Sequence, residues 1–248
     1  MKSFIGTPSV ESLSSGPAGR STRRINCSLI FCAFFILLLA SSYRSQNTEA
    51  KENSAALAQA DQLLKSGKGQ EAVSILQAAS ARNPADPAVC IRLGRAFYQQ
   101  RKYQEAIASL MPCSAPAAKN TSDYREVVQM LGFSHYVLGH MAESIPFFQQ
   151  CVEWFPDNQE IAYALGISYV QTRRPGESRK IYARLFGVPP DSAAAYVINA
   201  QMHIRQRFEE TAELELNQAL KLDARLPQAN FHLGELAIYK ADIEKGIA

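Results

Sequence analysis

At 248 residues, with 47% hydrophobic and 20% charged side chains, the chain has the composition of a folded protein rather than a disordered one. Its formal net charge of +3 comes from the N-terminus, because residues 1–42 hold four of the 26 basic residues and one of the 23 acidic ones, leaving 22 against 22 beyond them. A neutral body argues against a general nucleic-acid surface, and five cysteines without a C-x-x-C spacing argue against the common zinc sites.

Residues 1–26 are polar and end in Arg20, Arg23 and Arg24; the next 14 residues, Cys27 to Ala40 (CSLIFCAFFILLLA), are uncharged, and Ser41 to Tyr43 extend that run to 17. Such a run predicts an apolar helix that serves as an export signal or a membrane anchor. It is short for a span of roughly 20 residues, and Ala40 and Ser42 suit cleavage after Ser42, whereas the 26-residue leader is long for a cleaved signal. Signal-anchor and signal peptide therefore both stand. Either one keeps the N-terminus cytoplasmic and exports the rest, since the basic residues precede the run and only Arg44 and Lys51 follow closely. Asn26 and Cys27 stand where a twin-arginine signal wants apolar residues, and neither Cys27 nor Cys32 follows the small residues that a lipid-attachment cysteine needs. Residues 44–52 are polar without periodicity and read as a tether.

From residue 53 the chain repeats itself every 34 residues. The two best copies run from Arg125 to Ser192, each with Leu-Gly at its seventh and eighth positions (Leu131-Gly132, Leu165-Gly166) and proline at its thirty-second (Pro156, Pro190). Units begin near 53, 87, 125, 159, 193 and 227, with four extra residues in the second, where Pro112 and Pro116 predict an early helix end. A period of 34 with small residues at fixed places predicts an all-α solenoid of helix pairs, in which no unit buries its own face and stacking does so. Small residues at positions eight, twenty and twenty-seven allow two antiparallel helices to cross closely, and large apolar residues at seven, eleven and twenty-four fill the space between units. In the sixth unit the segment ADIEKGIA continues the pattern into a second helix. Two expectations follow for that unit: a longer protein, of which the chain stops short after Ala248, or a cap formed by the helix over residues 227–240.

The Leu-Gly pairs at 93–94, 131–132, 165–166 and 233–234, with Ala72, Ala106, Ala212, Pro84, Pro156 and Pro190, resemble the tetratricopeptide repeat (TPR) family over about residues 53–248. His135 and His203 replace the family's aromatic at position eleven, and Ser144 and Ser178 its alanine at twenty. The resemblance implies a right-handed α-solenoid of about five and a half units, with a concave groove built from the first helix of each. Carried onto this chain, the groove positions include Ile91, Arg95, Tyr98, Phe133, Tyr136, Tyr163, Ile167, Val170, Ile204 and Arg205. This strip is apolar and aromatic, suited to an extended or helical peptide; self-association is the competing way to cover it. Some relatives clamp a C-terminal carboxylate with basic groove residues; only Arg92 and Arg95 stand in a comparable place, so no such clamp is expected. Cys90 and Cys113 fall at positions four and twenty-seven of one unit, which face each other in the family, and a disulfide or two buried thiols are the alternatives.

No chemistry of catalysis accompanies the repeats. The four histidines lack a ligand or base setting, there is no phosphate-cradling loop, and Asn120-Thr121-Ser122 is a glycosylation sequon only in a eukaryotic secretory route. The expected function is an exported, membrane-tethered scaffold for a protein or peptide partner, neither an enzyme nor a user of metal or cofactor. The alternative is the helper region of a larger enzyme or of a secretion or envelope-assembly protein.

Overall fold

The computed structural model describes residues 52–83, 86–114 and 121–247, with backbone alone from residue 242 onward. The apolar run at 27–40, residues 44–51 of the tether, Pro84, Pro116 and Asn120 lie outside the described residues, and Glu52 opens the first helix. The helices are α1 (52–65), α2 (Gly69–Arg82), α3 (Pro87–Gln99), α4 (Tyr103–Leu110), α5 (Ser122–Val137), α6 (Met141–Trp154), α7 (Gln159–Gln171), α8 (Pro175–Leu185), α9 (Ala193–Arg205), α10 (Glu209–Leu222) and α11 (Pro227–Ile247). Each packs on the next in sequence, and the first helices of successive pairs touch at α3–α5, α7–α9 and α9–α11. The protein is an α-solenoid of stacked helix pairs.

Two kinds of helix start alternate along the chain. First helices open with a side-chain cap: Asp86 accepts from Ala88 N at 2.9 Å, Thr121 from Tyr124 N at 3.1 Å, Asn158 from Ile161 N at 3.1 Å and Ser192 from Ala195 N at 3.2 Å. Each satisfies one of the orphan amides of a first turn. The second helices α4, α6, α8 and α10 have no such cap, because they are entered through a tight turn. Position fifteen of every complete unit takes positive φ in that turn: Gly67, Arg101, Gly139, Arg173 and Arg207. Paired backbone bonds close it, as in Arg173 N to Val170 O at 3.1 Å and Arg174 N to Tyr169 O at 2.9 Å. This is the left-handed helix stop that normally selects glycine, yet three of the five residues are arginine.

Position eight explains the Leu-Gly pairs. A Cβ on Gly94 would stand 2.3 Å from Leu110, on Gly132 3.0 Å from Phe148, and on Gly166 2.6 Å from Tyr182, so the large side chain at position twenty-four of the crossing helix fills the missing Cβ. The resulting core is continuous across units. Ile91, Leu110 and Leu131 join α3, α4 and α5; Val128, Phe148 and Leu165 join α5, α6 and α7; Val170, Tyr182 and Met202 join α7, α8 and α9.

The serines at position twenty are tied to the following unit. Ser144 Oγ and Ser168 Oγ stand 2.8 Å apart, and Ser178 Oγ donates to Asn199 Oδ1 at 2.7 Å. Asn199 Nδ2 in turn donates to Glu215 at 2.9 Å, and Arg179 Nη1 to the same carboxylate at 3.2 Å. Burial of Glu215 raises its pKa, against which Asn199 and Arg179 act. Such a network is favourable only when every member is satisfied.

One end of the repeats meets the sequence expectation and the other departs from it. The early helix end expected at Pro112 is present, since α4 stops at Leu110 and a single 3-10 turn, Met111–Cys113, carries the proline. At the other end α11 runs unbroken to Ile247 instead of turning near Ala241 into a second helix. Alanine is the strongest helix former, so Ala241 carries the helix on where the other units have glycine or arginine at positive φ.

Candidate functional site

Exposed large apolar side chains gather in two places, and one of them is a cleft on the first helices of the third and fourth pairs. Phe133, Tyr136 and Val137 from the last turns of α5 form one wall, Glu160 and Tyr163 from the first turns of α7 another, and Leu185 and Phe186 at the end of α8 close it. The cleft holds about 740 Å³, within the range of sites that seat a substantial ligand. Its rim is apolar: Val137 is 54% exposed, Tyr163 38% and Phe186 52%.

Packing behind the cleft makes its walls rigid. Phe133 and Tyr136 meet the fully buried Phe148 edge-on at 5.0 and 6.0 Å between ring centres, and Tyr163 meets the fully buried Tyr182 at 6.1 Å. Burial raises the pKa of the Tyr136 hydroxyl, and the nearby Tyr163 adds to the shift. The Tyr136 phenol therefore remains a neutral hydrogen-bonding group set into an aromatic surface, an arrangement typical of protein-binding sites.

Of the sequence-derived groove residues, the cleft brings together Phe133, Tyr136 and Tyr163. Others belong elsewhere. Ile91 (9% exposed), Ile167 (5%) and Val170 (0%) are packed between units, so a partner has no access to them. Ile91 packs with Val127, Met130 and Leu131, and Val170 with Tyr182 and Met202, whereas Tyr163, Phe133 and Tyr136 hold the same repeat positions five, nine and twelve and line the cleft; local packing, not repeat position, decides which of them is open. Tyr98 is half-buried with its ring edge-on to Tyr103 at 5.6 Å, Ile204 packs beside the α9–α11 cluster, and Arg205 is exposed. Arg95 is held by both oxygens of Glu126 at 2.6 Å each, and Arg92 by Asp61 at 2.9 and 3.1 Å. Both cations are thus engaged across successive first helices rather than held open for a carboxylate. Leu185 and Phe186 were missed by position-based reasoning because they belong to a second helix; the signal was an exposed phenylalanine beside Gly187 at positive φ.

Two further titratable side chains are buried in the core. Burial pushes the Cys151 thiol up to about 12, and burial, with Arg173 adding to it, pushes His203 down to about 4. Neither ring nitrogen of His203 has a partner, so the imidazole packs as a neutral aromatic in place of the phenyl ring expected there. Among the described residues no cluster of three or more His, Cys, Asp or Glu residues could hold a metal ion, and no helix is long and apolar enough to cross a membrane. The Cα atoms of Cys90 and Cys113 are 6.4 Å apart with the sulfurs in bonding contact, a backbone separation that suits a disulfide.

Comparison with known proteins agrees with this architecture. Tetratricopeptide repeat family models match residues 63–131, 126–158 and 163–230. Among solved structures, the chain is similar to YrrB, described as a TPR protein with an unusual peptide-binding site, at 17% identity and a TM-score of 0.51 over 73% of this chain and 90% of that one. It is similar to a MamA protein at 15% identity and a TM-score of 0.51 over 71% and 94%, and to MamA from Desulfovibrio magneticus at 16% and 0.50 over 70% and 96%. At these identities the likeness is one of fold. Repeat matches spread over residues 63–230, on helix pairs that cross at Gly94, Gly132 and Gly166 in the same way, place the chain in the tetratricopeptide repeat family.

Proposed function

We propose that the protein is an exported, membrane-tethered scaffold that holds a protein partner by seating aromatic or aliphatic side chains of an extended or helical segment in the cleft between α5 and α7. The observation that carries this reading is the apolar rim of Val137, Tyr163 and Phe186 around a cleft of about 740 Å³ backed by fixed rings. A rigid aromatic wall gives contact area at little entropic cost, which is how a few residues come to dominate an interface. Support for export comes from the apolar run Cys27 to Ala40 behind an arginine cluster and from the Cys90–Cys113 link, which suits an oxidising compartment.

Tyr163→Ala combined with Phe186→Ala removes two exposed side chains and leaves the core intact. Capture from native membranes with tagged full-length chain should lose a specific partner by at least about tenfold, the effect of removing central aromatic anchors. Unchanged recovery overturns the cleft assignment. Lysines of the repeats should react with a membrane-impermeant reagent applied to intact cells; labelling only after lysis overturns the topology.

A further inference from the structure

Acidic side chains stand at position two of the third and fourth units, Glu126 on α5 and Glu160 on α7. An acid is favourable at a helix start in either case, but the two differ in what faces them. Arg95, at position nine of the unit before, donates to both oxygens of Glu126 at 2.6 Å. At position nine before Glu160 the residue is Phe133. Among the described residues Glu160 has no ion-pair partner. Of the residues that line the α5–α7 cleft, it alone is charged.

Two places inside the solenoid show what a carboxylate beside an aromatic ring takes. Arg179 lies over the Tyr196 ring, 4.0 Å from its centre, while its Nη1 donates to Glu215 at 3.2 Å. Arg174 lies 4.7 Å from the centre of the Tyr169 ring while its Nη2 donates to Glu177 at 2.8 Å. In both, one guanidinium meets a π-face and an anion together, as its flat, delocalised charge allows. The cleft sets Glu160 among Phe133, Tyr136 and Tyr163, and among the described residues no guanidinium lies over those rings. The field of this carboxylate reaches as far as α3, where burial raises the pKa of the Tyr98 hydroxyl and Tyr103 and Glu160 add to the shift.

We propose that the cleft takes a partner segment with an arginine close to its apolar anchor, the guanidinium bound by Glu160 and stacked on the aromatic rings beside it. The inference rests on the cleft being the partner site and adds the partner's charge. An apolar cleft with one uncompensated carboxylate repels an acidic segment, and a wholly apolar segment would strip water from Glu160 without replacing its hydrogen bonds. A cation removes that cost. Arginine fits better than lysine because it meets both carboxylate oxygens, as Arg95 does at Glu126, and lies flat on a ring, as Arg179 does at Tyr196.

The test pans a random peptide library displayed on phage against full-length chain in detergent micelles. Bound peptides should be enriched in arginine at a fixed spacing from an aromatic or aliphatic residue. Against the Glu160→Gln chain the arginine enrichment should vanish while the apolar residue remains, and the Glu160→Lys chain should select an acidic residue in its place. Glu160 is exposed, so neither substitution should alter the circular dichroism. For one selected peptide carrying a fluorophore, glutamine in place of the arginine should weaken binding by about fivefold to tenfold, as expected for a partly exposed ion pair with a cation–π contact. Lysine in its place should weaken binding less, and the Glu160→Gln chain should lose most of the preference for arginine over glutamine. Enrichment of apolar residues without arginine, or an arginine preference that survives Glu160→Gln, would overturn the proposal and leave the cleft as the partner site. Enrichment unaffected by Tyr163→Ala combined with Phe186→Ala, or no enrichment at all, would overturn both.

Discussion

Replacing the glycine of Leu-Gly by alanine should change stability in opposite directions at two places that read alike in sequence. At Gly166 the new Cβ would stand 2.6 Å from Tyr182 Cζ, 2.7 Å from Cε1 and 2.8 Å from Oη. Carbon atoms rest at about 3.5–4.0 Å, so α7 and α8 must separate by about 1 Å, and Tyr182, fully buried, has no free direction in which to yield. Over-packing of this kind costs about 1–3 kcal/mol. Alanine regains about 0.5–1 kcal/mol of helix propensity, leaving a net loss of up to about 2.5 kcal/mol, centred near about 1 kcal/mol. At Gly234 the same change meets nothing within 4 Å among the described residues, so only the propensity gain of about 0.5–1 kcal/mol remains. The assay is urea unfolding of full-length chain followed by ellipticity at 222 nm. With an m-value of about 1–3 kcal/mol per molar, the Gly166→Ala midpoint should fall by about 0.5–1 M and the Gly234→Ala midpoint rise by a few tenths. Equal shifts, or a stabilised Gly166→Ala, would refute the reading of position eight as a helix crossing.

Two further outcomes follow from single side chains. Burial holds the His203 pKa near 4 in the folded state, against about 6.5 unfolded, so the unfolded chain binds the extra proton. The contribution of neutral His203 is complete above pH 6.5 and falls away as pH drops towards 4. His203→Phe should flatten the stability profile across that window, and an unchanged slope of urea midpoint against pH would count against it. Arg101 is exposed and held at φ 59, a conformation that costs a non-glycine residue about 1 kcal/mol. Arg101→Gly should therefore raise stability by about 0.5–1 kcal/mol; a lowered thermal midpoint would show that the turn tolerates arginine without strain.

The sequence alone determined the repeat unit, its helix-pair character and the close crossings, because these depend on the 34-residue period, on caps such as Asp86, Asn158 and Ser192, and on glycine or alanine opposite a large side chain. All of that is local, or lies one helix away. Which groove positions a partner can touch depends instead on local packing, a sum of many contacts with no motif of its own. It buries Ile91, Ile167 and Val170, leaves Tyr163 open and brings Phe186 in from a second helix. Partner choice among polar groups is likewise tertiary: Arg95 with Glu126, and the Ser178–Asn199–Glu215–Arg179 chain, join residues that only stacking brings together. The same holds for the last helix, where Leu233-Gly234 repeats Leu165-Gly166 in sequence while the space across the glycine is filled in one case and empty in the other.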